Sequence, residues 1–202
     1  LLVRHGATPT TGKVLPGRAP GLGLADAGRR QADVVARRIA ALPRVAAVYA
    51  SPLERARQTA EPIARARRLR VQVEGGLTEI DIGAWTGVTL ARARRRREWQ
   101  QVRHHASGFR FPDGESFTEM LARVTTAVRS LVERHAGEAV VAVSHADPIK
   151  AVVAHALGLH LDLIHRIAIG PGSVTAIAYG AEAPVVLTVN SADGDLGWMV
   201  SR

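Results

Sequence analysis

Cysteine is absent from the chain. That excludes disulfides, zinc fingers, iron–sulfur clusters and a thiol nucleophile. Aromatic residues make up only 4%, and no stacking platform for single-stranded nucleic acid is visible among them. No apolar run approaches the ~18 residues that a membrane span requires. No signal peptide precedes the first strand-like segment. The sequence opens on Leu1 rather than methionine, so a few preceding residues are expected to be missing. Lysine is nearly absent as well: Lys13 and Lys150 are the only two, so arginine supplies 25 of the 27 basic side chains. There are no internal repeats, low-complexity tracts or linkers. A soluble cytoplasmic protein is the expectation.

What is present is a globular composition: 202 residues, 47% hydrophobic and 22% charged, which speaks against disorder, collagen and coiled coil. At ~150 residues per domain this is one domain, residues 1–202, long enough to bury about 70% of its unfolded surface. The net charge is +9. One reading of that surplus is genomic, a GC-rich genome writing Arg in place of Lys, and it is the favoured one. The competing reading is an anionic partner, either a small phosphorylated molecule or nucleic acid.

Short apolar runs alternate with amphipathic stretches. Leu1-Leu2-Val3, residues 46–50, 71–74 and 139–144 read as buried strands. Residues 25–42, 53–68, 116–134 and 148–157 read as helices. Ser51 and Pro52 supply a helix start, and Pro148 opens the last helix. A basic segment over 88–103 is also expected to be helical. Two final strands, 174–179 and 185–189, have no helix between them, so one is expected to run antiparallel. The pattern predicts an α/β domain of three layers, a mostly parallel central sheet with helices on both faces.

In such sheets, sites form at the carboxyl ends of strands. The first strand delivers Arg4-His5-Gly6. The second delivers Ser51, with Arg55 one turn further on. The third leads into a loop with Glu79 and Asp81, and the fourth delivers Ser144-His145-Ala146-Asp147. Two histidines, two arginines and a carboxylate converge, an inventory for phosphoryl transfer. Arginine's planar fork matches two phosphate oxygens and never deprotonates. A neutral imidazole can attack phosphorus in line. A second histidine, protonated, can stabilise the equatorial oxygens. A carboxylic acid must protonate the leaving oxygen, worth ~10²–10⁴-fold. No metal-ligand spacing is present, and no cofactor is expected.

The motifs in order resemble a known family. Leu2-Val3-Arg4-His5-Gly6-Ala7-Thr8 is similar to the opening signature of the histidine phosphatase superfamily, phosphoglycerate mutase-like branch. Residues 51–60 (SPLERARQTA), 77–87 (LTEIDIGAWTG) and Val143-Ser144-His145-Ala146-Asp147 resemble its further motifs. Together with Gly114-Glu115-Ser116 they span nearly the whole chain. Pro171-Gly172-Ser173 resembles an actinobacterial subgroup of phosphomutases or phosphatases. The resemblance implies His5 as nucleophile, Arg4 and Arg55 as phosphate clamps, His145 as second histidine and Glu79 as proton donor. It also implies Arg4, Thr8, Thr11, Gly17, Arg55 and Ala146 as substrate-binding positions. Three departures stand out. Ala146 replaces a usual Gly, Thr11 replaces a usual Asn, and Ala25 replaces a usual Thr helix cap, with Asp26 the expected substitute.

Asp81, Glu54 and Asp147 rival Glu79 as proton donor, and the motif match favours Glu79. Asp147 is expected at a helix cap or first turn. His155, His160 and His165 read as surface or packing residues, Arg94 to Arg97 as a solvated helix face, and Trp85 as packing for its loop. His104 and His105 are open to either a surface or a substrate-facing role. Trp99 and Trp198 carry no signal.

The function expected is hydrolysis of a small phosphate monoester through a phosphohistidine on His5, without metal. A phosphomutase is the first alternative. The resemblance gives mutases a longer insertion between the third and fourth motifs, and this chain lacks an obvious one. A non-catalytic anion or nucleic-acid binder is the alternative from another class. The expected partner is a small phosphorylated metabolite rather than nucleic acid or membrane, with the protein a monomer or homodimer.

Overall fold

The structure is a computed structural model that describes residues 1–194 and 196. Six strands form one sheet: β1 (Leu2–Arg4), β2 (Ala47–Ala50), β3 (Val71–Val73), β4 (Val140–Ser144), β5 (Val174–Ala178) and β6 (Val185–Ser191), in the order β3-β2-β4-β1-β5-β6. The pairs among β1 to β4 are parallel. As expected, the final hairpin breaks the rule: β5 runs antiparallel to both β1 and β6.

Alternate strand residues feed opposite faces, because successive side chains point to opposite sides. Val3, Val48, Val141 and Val143 pack with α1 (Asp26–Ala40) and α2 (Glu54–Ala66). Leu2, Ala47, Tyr49 and Ala142 pack with α5 (Phe117–Arg134) and α6 (Ala146–Ala156). Burial on both faces is why the strands read as continuous apolar runs. Among the described residues no helix is long and apolar enough to cross a membrane. Trp198 lies outside the described residues.

Several boundaries differ from expectation, each for a local reason. The basic segment is two short helices, α3 (Leu90–Arg94) and α4 (Trp99–His104). Trp99 stacks on the buried Trp85, with ring centroids 6.4 Å apart. Arg96 lies 4.8 Å over the same Trp85 ring, so that arginine is not simply solvated. Asp26 does not cap α1. It occupies the first turn and pairs with exposed Arg29, and no side chain caps this helix. Ser51 does not cap α2, which starts three residues later behind Leu53. α6 opens at Ala146, two residues before Pro148, which is tolerated because the first turn has no intrahelical N–H partners to lose.

Candidate active site

Strand register brings the site together. Arg4 pairs with Ser144, and Ala50 with Val143. His5 and His145 therefore leave adjacent strands side by side, and Ser51 leaves β2 next to them. The two imidazole centroids are 5.0 Å apart, edge to face.

His5 is 5% exposed. Its Nδ1 lies 2.7 Å from the Gly6 carbonyl. A carbonyl can only accept, so Nδ1 carries the proton and Nε2 keeps its lone pair. Burial, then Arg55 and Arg4, push the His5 pKa down to about 3, against the pull of the Gly6 carbonyl. The ring is thus a neutral base with one free nitrogen at neutral pH. Gly6 and Gly28 let the loop and α1 approach closely. A Cβ on Gly28 would run into the Ala7 carbonyl, and one on Gly6 into the Gly28 carbonyl.

Arg55 is 1% exposed. Its Nη2 donates to the Gly17 carbonyl at 2.8 Å. Gly17 holds a φ of +46°, and a Cβ there would sit 2.6 Å from Ile82 Cγ1. The turn that aims this carbonyl therefore requires glycine. Arg4 Nη1 donates to the Ile169 carbonyl at 2.5 Å. Among the described residues, Arg55 Nε and Nη1 and Arg4 Nε are buried without a partner. Each such donor costs roughly 1–3 kcal/mol when left unmet.

His145 is fully buried. Its Nε2 lies 2.8 Å from Ser51 Oγ. That hydroxyl oxygen also accepts from the Leu53 N–H at 3.3 Å, leaving its proton for the ring. Nδ1 then carries the hydrogen, and it is a further buried nitrogen without a partner among the described residues. Burial, then His5, Arg55, Arg4 and Arg123, hold the His145 pKa well below the usual value. The expected imidazolium is here a neutral ring that presents one N–H.

Glu79 Oε2 lies 4.0 Å from His145 Nδ1. Burial first, then Asp147, raise its pKa to about 7, while Arg55 and Arg4 oppose the shift. The carboxyl is therefore substantially protonated near neutrality. Asp147 sits in the first turn of α6 and pairs with Lys150 at 2.9 Å. Burial works against the Asp147 carboxylate, but Lys150, His165 and Arg4 outweigh it and hold it below the usual range. The other rivals are occupied elsewhere: Asp81 accepts from the Gly83 N–H, and Glu54 from Gln58.

Thr8 and Thr11 close a turn after His5. Thr11 Oγ1 accepts from the Thr8 N–H at 2.8 Å and shares a contact with Thr8 Oγ1. Ala146 is the first residue of α6, where helix N–H groups lack intrahelical acceptors. His104 and His105 are exposed at the end of α4. His155 and His160 are exposed, and His165 packs edge-on against Phe117. Among the described residues no three His, Asp or Glu side chains gather as a metal ligand set. A cleft of about 720 Å³, lined by residues such as Leu2, Val140, Ala176 and Tyr179, opens at the amino ends of β1 and β4. None of His5, His145, Arg4, Arg55 and Glu79 lines it.

Sequence reasoning named His5, His145, Arg4, Arg55 and Glu79, and the fold brings all five together. It undervalued Ser51 as a helix cap and missed Arg18 and Arg123, whose guanidinium groups bond to the Glu79 carbonyl. Arg123 lies on a helix face whose polar residues look alike in sequence.

A family model for the histidine phosphatase superfamily (branch 1) matches residues 1–192. The chain belongs to this superfamily. A bifunctional protein of Mycobacterium tuberculosis is 34% identical over 187 residues, 90% of this chain and 50% of that protein. The chain thus spans about half the length of that protein and of two other mycobacterial relatives at the same 34% identity. Phosphoserine phosphatase 1 of Hydrogenobacter thermophilus is 29% identical over 198 residues, 94% of this chain and 90% of that one. A mutant phosphoserine phosphatase from Entamoeba histolytica, solved with phosphoserine, superposes with a TM-score of 0.85 at 26% identity, covering 95% of each chain.

Proposed function

We propose that this histidine phosphatase superfamily member is a phosphomonoesterase acting on small phosphate monoesters through a phosphohistidine on His5. One observation carries the reading. Among the described residues, donors on Arg4, Arg55 and His145 are buried without partners, and they belong to the side chains that act on a neutral His5 whose free nitrogen is Nε2. Those donors match a phosphoryl group, whose charge is spread over its oxygens. A unit charge pair at ~4 Å is worth about 4 kcal/mol at an effective dielectric of ~20. The names of the phosphoserine phosphatase relatives agree with this substrate class.

In the first step His5 Nε2 attacks phosphorus as the ester P–O bond breaks. The Glu79 carboxyl gives its proton to the leaving oxygen. In the second step the Glu79 carboxylate takes a proton from water, the water oxygen attacks phosphorus, and the N–P bond breaks. Phosphate leaves and both side chains return to their starting forms. Arg4, Arg55 and the His145 Nδ1–H hold the oxygens throughout, with Thr8, Thr11, Gly17 and the Ala146 N–H as further binding positions. No step calls on a metal. A phosphomutase would differ only in the second acceptor, a substrate hydroxyl in place of water.

His5→Ala should abolish turnover of a phosphomonoester panel while circular dichroism stays native. Retained hydrolysis in that variant refutes the phosphohistidine. Phosphate release in EDTA is expected to continue. Transfer to an added alcohol-bearing substrate in preference to water would favour the mutase.

A further inference from the structure

The loop that carries Glu79 has no helix or strand of its own around residues 78–82. Its shape comes from one carboxylate. Glu115 Oε1 accepts from Arg123 Nε at 2.8 Å. Its Oε2 accepts from Arg123 Nη2 at 2.9 Å, from Arg18 Nη2 at 2.8 Å, and from the Asp81 N–H at 3.1 Å. The Glu115 N–H in turn donates to the Asp81 carbonyl at 2.8 Å.

The two arginines that Glu115 orients then grip the loop backbone. Arg123 Nη1 donates to the carbonyls of Gly76 (2.8 Å) and Thr78 (2.9 Å), and its Nη2 reaches the Glu79 carbonyl at 3.4 Å. Arg18 Nε donates to the same Glu79 carbonyl at 2.8 Å. So the backbone is fastened at residues 76, 78, 79 and 81, on both sides of Glu79. Arg18 also follows Gly17, whose carbonyl aims Arg55. One carboxylate thereby ties the proton donor's loop to the turn that orients a phosphate clamp. None of the three side chains is among the groups assigned to the phosphoryl group above.

We infer that Glu115 is a positioning residue: through Arg123 and Arg18 it fixes where the Glu79 carboxyl points. The inference rests on the reading of Glu79 as proton donor. Arginine's fork makes the arrangement specific, because one planar group must meet a carboxylate on one edge and carbonyls on the other. Glutamine at 115 keeps the size but places an N–H₂ where an arginine donor must be received. The loop then loses its grip, and a displacement of ~1 Å costs about 10²-fold in a positioned proton transfer.

The leaving group provides a readout that a merely structural role would not move. Glu115→Gln and Glu79→Gln are compared on an alkyl phosphate, which needs protonation, and on nitrophenyl phosphate, which needs little. Both variants are expected to lose about 10²-fold in kcat/KM on the alkyl ester, and several-fold less on the nitrophenyl ester, because kcat/KM reports the step that breaks the ester bond, whereas hydrolysis of the phosphohistidine is common to both. Equal losses on the two esters in Glu115→Gln, with Glu79→Gln still graded, overturn the positioning role. If Glu79→Gln itself is not graded, the proton-donor reading fails, and this inference fails with it. Should Glu115→Gln not fold, the same comparison on Arg18→Met decides the matter, since methionine keeps much of the length but has no donor for either the Glu79 carbonyl or Glu115.

Discussion

His5 and Glu79 are displaced in the same protective sense: each is held in its uncharged form. The cause in both is burial, reinforced at His5 by two arginines and at Glu79 by Asp147. The proposed mechanism needs both uncharged at once, His5 to attack and Glu79 to donate. Turnover should therefore rise as His5 loses its proton through about 3 and fall as Glu79 loses its own through about 7. A pH–rate profile checks this, and a rate still climbing well past the upper value contradicts the assignment. Stability follows the same groups with opposite signs. The folded pKa of His5 is depressed from 6.5 to about 3, so its contribution is present above 6.5 and lost as pH falls through about 3. Glu79 is raised from 4.5 to about 7, so its contribution is present below 4.5 and lost as pH rises through about 7. The His5 shift corresponds to an effect on the order of 5 kcal/mol at ~1.4 kcal/mol per pKa unit. His5→Ala should accordingly resist acid unfolding better than the parent in urea titrations near pH ~4. Equal acid sensitivity in the two proteins would show that His5 is not held neutral.

Between elements, the close approach of α1 to the loop after His5 is set by two glycines rather than by a cap. Gly28→Ala should lower both stability and turnover, because its Cβ can be placed only by moving the Ala7 carbonyl and the loop beside His5. A loss of about 10²-fold in kcat is expected from a shift near 1 Å. Unchanged kcat would mean the loop tolerates the displacement. The same segment shows what sequence can and cannot convey. α5 was legible from its amphipathic spacing, and the structure adds a reciprocal capping box of Ser116 and Glu119 at its start. The strands were legible as apolar runs, and the register that joins His5 to His145 follows from them once pairing is known. α1 offered no such start signal, since Ala25 makes no side-chain cap. The break between α3 and α4 was hidden because an arginine run suits a helix as well as the loop that lets Trp99 reach Trp85. At the site, residue type and a position at or one turn beyond a strand end sufficed to anticipate that His5, His145 and Arg55 come together. The tautomers, the raised Glu79 and the Glu115 network depend on who faces whom, which no spacing encodes.

Across the whole molecule, the arginine surplus has a structural use beside genome bias and anion binding. Arg67 donates to the carbonyls of Ala40 and Leu42 at the end of α1. Arg38 donates to those of Ser191, at the end of β6, and of Asp193 and Gly194 beyond it. Arg123 does the same in the Glu79 loop. Such arginines cap backbone groups through a fork that lysine lacks, yet each still leaves a positive charge on the protein. The net +9 should therefore steer anionic substrates even though few of its charges touch them. kcat/KM for a dianionic ester is expected to fall as salt shortens the Debye length from ~10 Å at 0.1 M to ~3 Å at 1 M. The buried pairs within the pocket are screened much less, so kcat should change little over the same range. A flat kcat/KM would mean that the surplus serves the fold alone. A polyanion such as duplex DNA provides the contrast. It would be held by the same diffuse field with steep salt dependence, and His5→Ala would leave that attraction intact while removing turnover. Inhibition of ester hydrolysis by DNA that vanishes at high salt would thus report the field. Inhibition that persists there would instead mark a built nucleic-acid site and revive the binding alternative.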